Sequence, residues 1–143
     1  MRTLQSISIF ALAAAAISGC STTPTTSLEP SRLLIGCWEG KDYQPVLGQS
    51  AKWLMQRRSD GTFDIEFRAQ GQPPQRETGR WRVEGTTYTT VTLTIDDEPV
   101  DVRDPQFTDV YQLKDLSANS MTYFHSKMNM TFQSIKAACP SDA

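Results

Sequence analysis

Apolar and polar residues alternate with period two through most of the chain after residue 33, which predicts strands rather than helices. The clearest segment is Phe63, Ile65 and Phe67, alternating with Asp64, Glu66 and Arg68. Ala51 to Arg58 alternates as well, with Trp53 and Met55 on one face and Lys52, Gln56 and Arg58 on the other. Between these two runs lies Ser59-Asp60-Gly61, a turn in which Gly supplies a positive φ, so the pair reads as a hairpin. Upstream, Leu33 to Gly40 is a short apolar run ended by Gly, a first strand.

Downstream, Gln70 to Gln75 holds Gly71, Pro73 and Pro74 and reads as a loop. Gly79 to Val83 sets Trp81 and Val83 against Arg80 and Arg82. Thr86 to Ile95 sets Val91, Leu93 and Ile95 against Tyr88, Thr90, Thr92 and Thr94. Asp96-Asp97-Glu98-Pro99 breaks that strand, and Val100 to Val102 makes a short edge strand. Phe107 to Leu113 alternates with Asp109 as an interruption, and Ser120 to His125 with Lys127 to Ile135 forms the last pair. Only Ser50 to Gln56 hints at a helical period. Short strands separated by Gly, Asp, Asn or Pro predict an all-β protein. Eight or nine antiparallel strands in this length fit a small closed up-and-down barrel of about eight strands, which has no exposed edges.

The start of the chain has a different pattern. Arg2 precedes an apolar run from Ile7 to Ile17, and a Thr-rich tail follows with no charge until Glu29. A basic start, an apolar core and small residues at a cut site make a secretory signal, and the run is shorter than the roughly 20 residues that span a bilayer. Ile17-Ser18-Gly19-Cys20 resembles the lipobox of bacterial lipoproteins. That resemblance implies a diacylglycerol on the Cys20 thiol, with Cys20 as first mature residue and a palmitate-type acyl anchor. Two or more acyl chains anchor stably where one does not. Ser21 stands where Asp often marks retention in the inner membrane, which implies the cell outer membrane, with the domain facing the periplasm. The expected organisation is a signal peptide over 1–19, a lipidated N-terminus and flexible linker over 20–32, and a barrel domain over 33–143.

Charge and cysteines narrow the function further. The net charge of −2 becomes one unit more negative once the leader is removed, with no long charged run, so electrostatic capture of nucleic acid is not expected. Lipidation of Cys20 leaves Cys37 and Cys139. In an oxidising compartment that pair reads as a disulfide, with two buried thiols or a metal pair with His125 as alternatives. The wide spacing of these residues matches no zinc site. His125, the only histidine, has Ser126 on the opposite face of its strand, which is a poor start for nucleophilic catalysis. Asp96, Asp97, Glu98, Asp101 and Asp104 lack the ligand spacing of a calcium loop and read as solvated turns. Arg68, Arg80 and Arg82 point outward if the aromatic face is inward, where they pair with neighbouring strands or form a basic patch. No catalytic residue, metal or cofactor is expected.

Gly36-Cys37-Trp38 on the first strand has the Gly-x-Trp form of the lipocalins. Asp60-Gly61-Thr62-Phe63 followed by Gly79-Arg80-Trp81, and Tyr111-Gln112-Leu113 leading to Met121-Thr122-Tyr123, are similar to the lipocalin-like domains of small secreted and lipid-anchored bacterial proteins. The resemblance spans most of residues 33 to 136. It implies an up-and-down barrel whose interior holds an apolar ligand, and a basic residue from near the chain's end packed over the first-strand Trp. Lys136 stands in that place, where Arg is more typical. Trp53, Met55, Trp81, Met121, Tyr123, Met128 and Met130 supply the candidate lining of a hollow barrel. In a filled barrel, the commoner outcome at this size, the same residues are core. The expected function is non-catalytic binding of a small apolar or lipid ligand by an envelope lipoprotein held to the membrane by its lipid. The alternative is a protein-binding envelope module, an enzyme inhibitor or assembly accessory, acting through the surface loops of a filled barrel.

Overall fold

Eight long strands run antiparallel, each beside the next in sequence, until the last meets the first. The computed structural model describes residues 29–44 and 48–140. The leader, Cys20, most of the linker and residues 45–47 lie outside the described residues. A single helical turn, α1 (Pro30–Leu34), precedes β1 (Gly36–Gln44), β2 (Gln49–Arg57), β3 (Thr62–Ala69), β4 (Gln75–Glu84) and β5 (Thr87–Ile95). A two-residue strand β6 (Glu98–Pro99) folds back on β5, and a 3₁₀ turn (Pro105–Phe107) leads to β7 (Thr108–Leu116), β8 (Ser120–His125) and β9 (Met130–Ala137). β4 pairs with β5, β5 with β7, and β9 with β1, so the sheet closes. No helix among the described residues is long and apolar enough to cross a membrane.

The alternation places one face of each strand inside. Trp53, Met55 and Arg57 of β2 are buried, as are Phe63 of β3, Trp81 of β4, Tyr88 of β5 and Met121, Tyr123 and His125 of β8. The loops run where expected, but several boundaries differ. Leu33 and Leu34 belong to α1, not to the first strand. Pro at the first helical position presets the turn, and Leu34 is then fully buried. The edge strand is β6, not Val100 to Val102, because Asp96 and Asp97 turn the chain at positive φ and bring Glu98–Pro99 against Thr94 and Ile95. Phe107 lies in the 3₁₀ turn, which the Asp104 carboxylate caps by accepting from the Gln106 N–H.

One end of the barrel is stoppered. α1 packs beneath Trp38, which is fully buried and donates its indole N–H to the Leu34 carbonyl at 2.9 Å. The Lys136 ammonium sits 4.5 Å from the centre of the Trp38 ring and donates to the carbonyls of Leu33 and Ile35. That contact combines a cation–π attraction with two charge-assisted hydrogen bonds. Burial pulls the Lys136 ammonium below its usual range, and the nearby Arg57 charge adds to the effect. Cys37 and Cys139 form a disulfide with a Cα–Cα distance of 5.1 Å, as the cysteine count suggested.

The outer Arg residues are mostly paired. Arg58 and Arg76 share Asp64, Arg68 meets Glu66, and Arg82 meets Glu84. Burial pushes the Asp64 carboxyl up, but hydrogen bonds from Arg58 and Arg76 outweigh it and hold the group below the usual carboxylate range. The acidic turn residues are engaged locally: Asp96 accepts from the Arg76 N–H and Asp101 pairs with Arg103.

Candidate functional site

The end opposite α1 opens into a cavity of about 250 Å³ that runs down the barrel axis. Its rim carries Phe67, Gln75, Ile95, Gln106, Phe107 and Met128. Below these stand Trp53, Ile65, Tyr111, Tyr123 and Phe132, and Arg57, Phe63 and Tyr88 lie toward the stoppered end. The volume falls a little under the ~300–1,000 Å³ usual for ligand sites, so it suits a small molecule rather than a long chain.

Four of the seven predicted lining residues, Trp53, Met55, Tyr123 and Met128, stand on this wall. Trp81, Met121 and Met130 are not on it. Trp81 is inward but donates its indole N–H to the Arg58 carbonyl at 3.1 Å, which holds the ring near the stoppered end. Met121 is 1% exposed and is core at the same end. Met130 is half-buried against the core cluster at the start of β9.

Aromatic rings give the wall its shape. Tyr88 stacks on Tyr111 with centroids 5.4 Å apart, and Tyr123 stacks on Phe132 at 5.6 Å. Edge-to-face contacts tie Tyr111 to Tyr123 and Trp53 to Phe132. Such pairs fix ring orientation, so the cavity is bounded by stiff surfaces. The phenols stay neutral. Burial pushes Tyr88 and Tyr111 up, and Tyr123 up to about 12.

Polar groups missing from the predicted lining punctuate this apolar surface. Thr90 and Thr92 face inward with Tyr88, so Val91 and Leu93 lie outside, and past the register shift opposite Thr78/Gly79 the parity reverses, putting Ile95 rather than Thr94 on the rim. Glu77 accepts from the Thr92 hydroxyl at 3.1 Å and from the Gln75 amide at 3.0 Å. Its carboxyl is pushed above the usual range, first by burial, against those two hydrogen bonds. Asp109 accepts from the His125 Nε2–H at 2.9 Å, and the His125 Nδ1 accepts the Met128 N–H at 3.1 Å. Both imidazole nitrogens are therefore engaged, and the acceptor role of Nδ1 fixes the Nε2–H tautomer. The ring is 2% exposed and positions Asp109 and the turn before β9.

Arg57 is the deepest charge, 2% exposed. Its Nε donates to the Tyr88 hydroxyl at 2.9 Å, and its guanidinium carbon lies 4.9 Å from the centre of the same ring. The Tyr88 hydroxyl in turn donates to the Met55 sulfur at 3.6 Å, a weak acceptor. The Arg57 Nη1 is buried and has no partner among the described residues. One sequence signal pointed to Arg57: it has the same strand parity as Trp53 and Met55.

No protein-family model matches the chain, and no curated protein is detectably similar to it. Among solved structures, the chain is similar to a lipocalin-like protein from Bacteroides uniformis, at a TM-score of 0.55 and 18% identity. The match covers 73% of this chain and 99% of the other. At that identity the likeness speaks to the fold, and the closed eight-stranded antiparallel barrel described here is lipocalin-like.

Proposed function

We propose that this protein is a non-catalytic binding protein that holds one small, largely apolar ligand inside its barrel. The observation that carries the reading is the open-ended cavity of about 250 Å³, walled by stacked aromatic rings and methionines. A filled barrel would leave no such space, and an apolar ligand there removes its own surface from water at about 25 cal/mol per Å². The His125–Asp109 pair supports the non-catalytic reading, because both imidazole nitrogens are committed to positioning bonds and no nucleophile is held against them.

A neutral naphthylamine dye tests this. It should bind one-to-one with a blue shift, and Thr90→Phe, which drives a ring into the cavity, should abolish that signal while the protein stays folded by circular dichroism. An unchanged dye signal in Thr90→Phe, or no binding by the wild-type protein, would remove the reading.

The binding domain is further proposed to hang from the outer membrane, facing the periplasm, through lipid on Cys20. The leader pattern and the Ile17-Ser18-Gly19-Cys20 sequence support this. In cells fed a radiolabelled palmitate, the full chain should take up label and sediment with outer-membrane vesicles. The Cys20→Ala chain should do neither. Label retained by Cys20→Ala would count against the anchor.

A further inference from the structure

We infer that the ligand carries a single carboxylate, bound at the inner end of the cavity by Arg57 and Tyr88 with its apolar body toward the mouth. This rests on the binding reading above and specifies its chemistry. Arg57 is 2% exposed, lies on the cavity wall, and makes no ion pair with any acid among the described residues. A guanidinium cannot shed its charge, so a buried one lacking a carboxylate partner is costly unless an anion arrives. Its Nη1 has no hydrogen-bond partner among the described residues. The Tyr88 O–H beside it is committed only to the Met55 sulfur, a weak acceptor that a carboxylate oxygen would outbid.

The rest of the electrostatics agrees in placement. Lys136 adds a second positive charge at the stoppered end, close enough to feel Arg57. The acids of the cavity stand apart from that end and are already engaged. Asp109 is bonded to His125, and Glu77 accepts from Thr92 and Gln75. Glu77 also lies nearer the mouth. On β3 the partner of Glu77 is Ile65, whereas Arg57 pairs with Phe63, two residues farther from the mouth. A ligand entering head first therefore passes aromatic rings and meets positive charge only at the bottom. The modest volume favours a medium-length aliphatic acid or a one-ring aromatic acid over a long-chain one.

The test is a calorimetric comparison of matched probes: decanoate against decanol, and 3-phenylpropanoate against 3-phenylpropanol. In at least one of the two pairs the acid should bind wild-type protein about 10- to 100-fold tighter than its alcohol, the range expected of one charge-assisted contact replacing a neutral one. In Arg57→Met the acid should lose that advantage, its affinity falling to that of the matched alcohol for the same variant. Equal affinity of acid and alcohol for the wild type in both pairs overturns the carboxylate assignment but leaves the cavity-binding reading standing. Binding of neither member of either pair, nor of the neutral dye, overturns both. The wild-type comparison decides the matter even if Arg57→Met fails to fold.

Discussion

Replacing Cys37 and Cys139 together by alanine should lower the stability of the domain by about 3–5 kcal/mol. The bridge joins residues 102 positions apart, and the chain-entropy model gives roughly 4.7 kcal/mol for a closed loop of about 100 residues. Its place in the fold adds a second effect. Cys37 lies opposite Ala137 in the ladder between β1 and β9, which has just three paired positions, Cys37 with Ala137, Trp38 with Lys136 and Glu39 with Ile135. The ladder between β1 and β2, by contrast, runs the whole length of both strands. The seam that turns the sheet into a barrel is therefore short, and the disulfide sits at its end. Without it, β9 has less to hold it against β1, and the stopper of α1, Trp38 and Lys136 lies on the same seam. In urea, with a slope of about 2 kcal/mol per M for a domain of this size, the midpoint should fall by about 2 M. A double-alanine variant within 1 kcal/mol of the wild type would show that the seam is held by packing and hydrogen bonds alone.

Much of this architecture was legible as parity. Inward and outward faces of β2, β3 and β4 follow directly from Trp53 and Met55, from Phe63, Ile65 and Phe67, and from Trp81 and Val83. β5 was not legible in that way, because Val91 and Leu93 look like the buried face and lie outside. Tyr88, aligned with Tyr111 across the ladder, sets the register instead, and a cavity tolerates Thr90 and Thr92 on its wall where a filled core would not. The same logic hid Asp109, which reads as an interruption between Phe107 and Tyr111 but shares their parity because it bonds His125 from inside. Lys136 over Trp38 was visible through the lipocalin resemblance, and the structure supplies its two carbonyl acceptors. The polar floor was the least visible part. Arg57 sits among Arg58, Arg68, Arg76, Arg80 and Arg82 in the sequence, and composition alone gives no reason to separate the one buried arginine from exposed neighbours. Only its spacing from Trp53 and Met55 does so. Two glycines were legible as residues but not as roles. Gly40 and Gly79 look like strand ends, yet each lies inside a strand, β1 and β4.

Gly79→Ala should cost about 3 kcal/mol, at the upper end of what overpacking usually does. Gly79 is not a turn glycine, and its extended backbone is one that alanine adopts freely. What forbids a side chain is space. A Cβ there would lie 2.1 Å from the Val91 carbonyl oxygen and 2.6 Å from the Phe63 ring. The register between β4 and β5 shifts at Thr78/Gly79, so the absent side chain is what lets β5 cross so closely at this irregular point. The two contacts predict different rescues. If the Phe63 ring were the main obstacle, Phe63→Leu in the Gly79→Ala background would recover most of the loss. The backbone oxygen is nearer and belongs to a paired strand, so the double variant should recover less than half of it, judged against Phe63→Leu alone in a double-mutant cycle. Thermal unfolding of the three variants and the wild type supplies the numbers. The cavity should report the same event, since Phe63 lines it and a displaced ring narrows it, so dye affinity should fall in Gly79→Ala even below the unfolding transition. A Gly79→Ala protein that melts within a degree or two of the wild type would mean that β4 and β5 can separate there at little cost.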